Sequence, residues 1–277
     1  MRGPWQATGS RGPIQLAHSG REACHAHNIT GKLAVVLIST RNPLNIGAAA
    51  RAVANFGFDD LRLVDPYDVA FREAVSAVGG AHVLRNARVF ANVADAVSDC
   101  SLVLGTTAGQ HRVPQQTVDR LESGMVAARR HLAQAQGNAG RIALLFGSEK
   151  FGLSNEDMSF CHSLIRIATS PDTPSMNLGQ AVAVCLYELV RADDLDDSTG
   201  SGTSAQPIPA VTGTDAEQIS RMLLEVLEQS GYTNRITAVS TEQKVRRWIR
   251  RLQISRRDAP LLLGILRQIL WKFNKSP

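Results

Sequence analysis

Three segments far apart in the chain carry the residue types that could do chemistry. Asn42-Pro43-Leu44-Asn45-Ile46-Gly47 runs on to Arg51, Phe146 to Met158 (FGSEKFGLSNEDM) holds Glu149, and Pro174 to Leu186 (PSMNLGQAVAVCL) holds Asn177. Each reads as an apolar strand, a polar glycine-bearing turn and then a helix pattern. Asn45, Arg51, Glu149 and Asn177 are therefore expected to share one composite site at the carboxyl ends of a sheet, where open α/β proteins bind ligands. Arg51 lies in a helix pattern of small and apolar residues (GAAARAVANFGF), where an unpaired cation would be costly. Either an ion pair with Glu149 or the binding of a phosphate or ribose would satisfy it. Asn45 and Asn177 could equally be helix N-caps, since a short side-chain oxygen is what a helix start requires.

Two familiar chemistries fail on the same residues. Gly147-x-x-x-x-Gly152-x-Ser154 approaches a P-loop, but Leu153 stands where the phosphate-binding lysine belongs and Glu149 would face the phosphates. A nicotinamide site or an ordinary Rossmann methyltransferase site would place a Gly-rich turn after the first strand. Thr40-Arg41-Asn42-Pro43 follows it instead, and no G-x-G-x-x-G occurs anywhere.

The elements that must position these residues can be read from the apolar pattern. Leu33 to Ser39, Leu61 to Val64, Ala87 to Phe90, Ser101 to Thr106, Ile142 to Phe146 and Leu164 to Ile167 read as strands. Most are apolar on both faces, as in a parallel sheet covered on both sides. Gly47 to Phe56, Thr117 to Ala135 and Leu178 to Val190 read as the clearest intervening helices. This alternation predicts a doubly wound α/β domain over residues 32–191. Residues 1–31 read as a disordered leader without the apolar stretch of a secretory signal. Residues 192–214, rich in Asp, Gly, Ser, Thr and Pro, read as a flexible linker. Residues 215–277 then give three helices, too short a unit to expect to stand alone.

Composition narrows the partners. The last segment, Tyr232 to Pro277, carries a net +9 while the rest of the 277-residue chain is −4. Lys244, Arg246, Arg247, Arg250, Arg251, Arg256 and Arg257 fall within fourteen residues, the footprint of a polyanion partner, although a solvated helix face is the plainer alternative. The four cysteines form no C-x-x-C pair, and Cys24, His25 and His27 lack a fourth ligand, so no metal is expected. No apolar run is long enough to span a membrane, and a cytoplasmic protein is expected.

The ordered set NPLNIGAAAR, LLFGSEKFGLSNEDM and PSMNLGQAVAVCLYEL resembles the three signature segments of the SpoU/TrmH branch of the SPOUT RNA methyltransferases. The NFGF turn, the GTTA strand end and the basic helical extension are most similar to TrmJ-type tRNA 2′-O-methyltransferases. The resemblance implies a SPOUT α/β fold with a deep trefoil knot, a homodimer in which each site is completed by the other subunit, and S-adenosylmethionine as cofactor. It places the cofactor on Thr106, Thr107, Ala108, Gly147, Ile167, Pro174, Ser175, Met176 and Leu178. It makes Arg51 the group that holds the ribose, with Glu149 orienting Arg51 or Asn45 and Asn177 positioning substrate or cofactor. The implied substrate is tRNA, at an anticodon-loop cytidine or uridine at nucleotide 32, with Arg246, Arg247, Arg250, Arg251, Arg256 and Arg257 binding RNA. A ribosomal RNA 2′-O-methyltransferase and a non-catalytic RNA-binding homologue are the alternatives. Two positions depart from the TrmJ-type pattern: Ser148 replaces an Arg, and Gly109-Gln110-His111-Arg112 replaces a loop that continues with Arg. Both changes remove a cation near the substrate.

Overall fold

The structure, a computed structural model, describes residues 30–67, 80–108, 116–134, 140–191, 209–233 and 237–275. The expected leader, most of the expected linker and the Gly109–Arg112 departure lie outside these residues. Seven strands form one sheet: β1 (Leu33–Ile38), β2 (Leu61–Val64), β3 (Arg88–Phe90), β4 (Cys100–Thr106), β5 (Val118–Arg120), β6 (Arg141–Phe146) and β7 (Ser163–Arg166). Their order is β3-β2-β1-β6-β4-β7-β5, and every pairing is parallel. The carboxyl ends of β1, β6, β4 and β7 therefore lie side by side, at the places where the three sequence segments begin.

Alternation along β1 shows why both faces must be covered. Leu33, Val35 and Leu37 enter one apolar core, whereas Ala34, Val36 and Ile38 enter a second on the opposite face. The first core is closed by α1 (Pro43–Asn55), α4 (Leu121–Gln134) and α6 (Leu178–Val190), the second by α3 (Val93–Ala96) and α5 (Asn155–Ser159); α2 is the short Ala81–Asn86 helix. One strand breaks the apolar rule. Arg62 in β2 is buried, and its charge is met by Asp60 at 2.7 Å and Asp99 at 2.5 Å, with Arg141 also 2.6 Å from Asp60.

The sequence reading needs three corrections here. The first helix begins at Pro43, not Gly47, because Asn42 caps it through a 2.9 Å bond from the Leu44 N–H and proline suits the first helical position. Thr117 to Ala135 is not one helix. Residues Val118–Arg120 pair with β7 as an edge strand, and helix α4 starts only at Leu121.

The third concerns the linker, whose last residues are docked rather than flexible. Ala210 bridges to Ser255, Thr212 caps α7 (Gly213–Gln229) in a capping box, and the Thr214 N–H donates 2.9 Å to the Ser98 carbonyl. A Cβ at Gly213 would lie 2.3 Å from the Val97 carbonyl oxygen, so the helix start sits directly on the α/β domain. Helices α7, α8 (Ala238–Arg251) and α9 (Asp258–Lys275) share a small core of their own around Ile219, Ile249 and Leu266.

Candidate active site

The three signature segments meet through one chain of hydrogen bonds. Asn177 Nδ2 donates to Asn45 Oδ1 at 2.8 Å, and Asn45 Nδ2 donates to Glu149 Oε1 at 2.9 Å. The Glu149 carboxylate also accepts the backbone N–H groups of Asn42 at 3.2 Å and Arg41 at 3.3 Å. Burial alone would raise the Glu149 pKa. The hydrogen bonds from Asn45, from its own backbone and from Asn42 and Arg41 outweigh burial and hold the carboxyl below its ordinary value. Glu149 is thus an anion committed to organising the turn after β1.

Local structure explains each partner. With Asn42 serving as the N-cap of α1, the side chain of Asn45 is freed from capping and faces the other two segments. Asn177 does both jobs suggested by the sequence: its Oδ1 caps α6 by accepting the Gly179 N–H at 3.0 Å and the Gln180 N–H at 3.3 Å, and its amide reaches Asn45. The close approach of α1 and α6 makes this reach possible. A Cβ at Gly179 would stand 2.5 Å from the Ala48 Cβ, so the helices touch where a larger side chain would separate them.

Arg51 is placed otherwise than one of its two sequence readings required. It is exposed and makes no ion pair with Glu149; among the described residues it has no salt bridge. Six residues of helix carry it about 9 Å along the axis from Asn45, and some 120° away around it. The composite site in a single chain therefore contains Asn45, Glu149 and Asn177, with Arg51 outside it.

The residues expected to hold a cofactor converge on the adjoining ends of β4, β6 and β7. The Thr107 N–H donates to the Ile165 carbonyl at 3.0 Å, Thr106 Oγ1 donates to the Leu145 carbonyl at 2.9 Å, and Thr169 Oγ1 donates to the Pro174 carbonyl at 3.0 Å. Thr106, Thr107, Ile167, Pro174 and Met176 are half-buried, Ala108 and Ser175 exposed, Leu178 buried. The side chains of these residues are neutral and partly apolar, and the backbone polar groups among them suit an uncharged purine and its ribose. Gly147 has a reason of its own to be glycine. A Cβ there would lie 2.0 Å from the Gly152 carbonyl carbon, because the Ser148–Gly152 loop folds back on itself with Gly152 at φ +65°.

The basic extension divides by face. Arg246 and Arg250, expected to contact phosphates, point inward and are buried. Arg246 pairs with Glu217 (3.1 Å) and Glu242 (2.6 Å), donates to Ser159 Oγ (3.1 Å) and lies 4.3 Å over the Phe160 ring; Arg250 pairs with Glu217 at 3.1 Å. Both fasten α8 to α7 through Glu217, and Arg246 also fastens it to α5, the helix that follows the Glu149 loop. The period of α8 explains the error: Val245, Arg246, Ile249 and Arg250 share one stripe, and charge density alone does not reveal which stripe is buried. Lys244, Trp248, Arg251, Arg256 and Arg257 are exposed and Arg247 is half-buried.

Sequence reasoning missed Arg41 and Asn42, whose backbone N–H groups hold Glu149, and Phe151, which stands exposed beside it. The Asn42-Pro43 pair was a readable cap signal. Among the described residues no group of three or more His, Cys, Asp or Glu is placed to hold a metal, and no helix is long and apolar enough to cross a membrane.

Comparison with known proteins adds the chemistry. The model of the SpoU rRNA methylase family matches residues 32–187. The tRNA (cytidine/uridine-2′-O-)-methyltransferase TrmJ of Sodalis glossinidius is 32% identical over 244 residues, 88% of this chain and 91% of that protein. TrmJ of Salmonella choleraesuis is 30% identical over 85% of this chain and 95% of its own length. The crystal structure of TrmJ from Z. mobilis superposes with a TM-score of 0.71 at 30% identity, covering 86% of this chain and 98% of that one.

Proposed function

Because the chain belongs to the SpoU rRNA methylase family, we propose that it transfers the methyl group of S-adenosylmethionine to a ribose 2′-hydroxyl of tRNA, at a cytidine or uridine. The observation that carries this reading is the hydrogen-bond chain Asn177–Asn45–Glu149, which joins all three signature segments beside the neutral rim at the ends of β4, β6 and β7. The tRNA substrate and the pyrimidine target are argued from relatives that carry that activity in their names and that align over most of both chains.

S-adenosylmethionine, when bound, supplies an electrophilic methyl group, so the chain's own residues chiefly align an oxygen nucleophile. The strand-end residues Thr106, Thr107, Ala108, Gly147, Ile167, Pro174, Ser175, Met176 and Leu178 would hold it. Glu149 fixes the turn after β1, Asn45 and Asn177 fix the starts of α1 and α6 against each other, and the ribose is placed between that turn and the cofactor rim. Arg51 would grip the ribose and its phosphate and stabilise developing alkoxide charge, since a guanidinium is a donor rather than a base. Its distance from the relay in one chain supports a homodimer in which Arg51 serves the partner's site. Such a dimer would use the exposed sides of α1 and α6. The strand order, with β6 between β1 and β4, is compatible with the trefoil knot that the family resemblance implies. Lys244, Arg247, Arg251, Arg256 and Arg257 would bind the RNA backbone, in salt-dependent fashion, and a tRNA substrate would place the protein in the cytoplasm.

The test is to incubate the purified protein with S-adenosylmethionine and, separately, unmodified tRNA and ribosomal RNA, then digest and identify nucleosides by mass spectrometry. 2′-O-Methylcytidine or 2′-O-methyluridine appearing in tRNA alone is expected. Methylation confined to ribosomal RNA would overturn the substrate, and no ribose methylation in either would overturn the reaction.

A further inference from the structure

An open cleft of about 480 Å³ lies beside the hydrogen-bonded relay, lined by Arg41, Asn42, Asn45, Glu149, Lys150 and Phe151. Its volume falls in the range of small-ligand sites, roughly 300–1,000 Å³. Phe151 is 67% exposed, an aromatic ring offered to solvent in a loop otherwise made of polar residues and glycine. The backbone of the loop that carries the ring is braced by its own hydrogen bonds. Ser148 and Gly152 bridge with a 2.8 Å bond from the Gly152 N–H to the Ser148 carbonyl, and the Phe151 N–H donates to Ser148 Oγ at 3.3 Å. Lys150 Nζ lies 5.0 Å from the ring centroid. One turn thus presents an exposed aromatic ring with a positive charge over one of its two faces, so that the other face is the one offered to a base, next to the carboxylate that organises the site.

We propose that Phe151 is the platform on which the base of the target nucleotide stacks, with Lys150 taking an adjoining phosphate. This rests on the reading of the protein as a ribose methyltransferase. With the ribose between the β1 turn and the cofactor rim, its base must leave on one side, and the cleft is the neighbouring space whose wall is aromatic. Stacking on an aromatic ring tolerates any base because every base has a π face. Such a platform suits an enzyme that accepts both pyrimidines, as the names of the TrmJ relatives describe. Ser148 belongs to the same device: where the TrmJ-type pattern puts an Arg, this chain has a hydroxyl that accepts the Phe151 N–H and pins the aromatic turn.

The experiment is a double-mutant cycle between protein and RNA. Wild-type protein and Phe151→Ala are each assayed on unmodified tRNA and on the same tRNA carrying an abasic ribose, 2′-hydroxyl intact, at the methylated position. Stacking of this kind is worth about tenfold in binding. Phe151→Ala should therefore raise KM for intact tRNA about tenfold while S-adenosylmethionine affinity stays within twofold. On the abasic substrate, wild type and Phe151→Ala should have the same KM. Phe151→Tyr should restore binding of intact tRNA. An equal KM increase on both substrates would show that Phe151 supports the loop and not a base, and would overturn the proposal. So would an unchanged KM on intact tRNA. Failure of the wild type to methylate intact tRNA would overturn the underlying reading, a result visible before any variant is compared.

Discussion

Glu149 is the residue on which the arrangement turns, because one carboxylate accepts from three groups of the turn after β1 and so ties its own segment to that one. Glu149→Ala should leave the Arg41 and Asn42 N–H groups and the Asn45 amide without their acceptor, lowering kcat at least tenfold with little change in melting temperature; an unaltered kcat would remove Glu149 from the site. The sign of its pH dependence follows from the lowered pKa. The contribution of the charged form is fully present above the ordinary carboxylate value of about 4.5 and is lost as pH falls through the lower value held by the fold. Activity limited by this group should thus survive mild acid, and a loss beginning near pH 6 would point to another residue. Arg51→Ala should abolish transfer while preserving cofactor affinity. A variant retaining more than about a tenth of the rate would put less than roughly 1.4 kcal/mol of barrier at that residue. Asn45, Glu149 and Asn177 were legible as a group because three polar turns followed three apolar strands. The pairing among them was not, since spacing along a chain says nothing of which amide donates to which oxygen.

Helix α8 shows how the charge of an element can be legible in a sequence while the face it buries is not. Its basic residues form two faces, and the inward one is held by Glu217, which meets both Arg246 and Arg250. Removing one partner of a buried pair leaves charge without compensation. Glu217→Ala should destabilise the protein by about 3 kcal/mol, seen as a lowered melting temperature. Arg251→Glu, on the exposed face, should weaken tRNA binding and flatten its salt dependence without moving the melting temperature; a fall in both would mean that this face is also packed. Cutting the chain after Thr214 would expose Val97, Ser159 and Phe160 as well as remove charge, so point substitutions separate affinity from docking better than truncation does. Beneath the extension, the β7 neighbour His162 accepts the Val103 N–H on Nδ1 at 3.0 Å; burial and the nearby Arg250 push its pKa down to about 3. Its neutral form therefore favours the fold above about pH 6.5, and that contribution fades as pH falls toward 3. His162→Asn, which keeps an acceptor but cannot take the proton, should shallow the acid side of the stability profile. The six strands read from the sequence each hold at least two apolar residues and so leave an apolar signature. The edge strand Val118–Arg120, three residues with one apolar side chain, leaves none and exists because β7 offers an unpaired edge.

At the scale of the whole molecule the question is whether one chain makes a complete site. Asn45, Glu149 and Asn177 lie together, whereas Arg51 is exposed about two helical turns away, on a different side of α1. Helices α1 and α6 already pack closely within the chain, yet Leu44, Ala48, Arg51, Gln180 and Tyr187 stay exposed on their outer sides. A two-fold axis through that face would carry Arg51 of one protomer toward the relay of its partner. Two inactive variants can decide this. An Arg51→Ala chain retains the relay and an Asn45→Ala chain retains the arginine. When the two are mixed under conditions that exchange subunits, half of the dimers become mixed. If Arg51 serves the partner, each mixed dimer has one site built from an intact relay and an intact arginine, and one site that lacks both. Activity should then rise to about a quarter of wild type. If Arg51 serves its own chain, every site in the mixture lacks one group or the other, and the mixture should stay as inactive as its parts. Light scattering on the same samples supplies the control, because a monomer at micromolar concentration would rule out any shared site before the activities are compared.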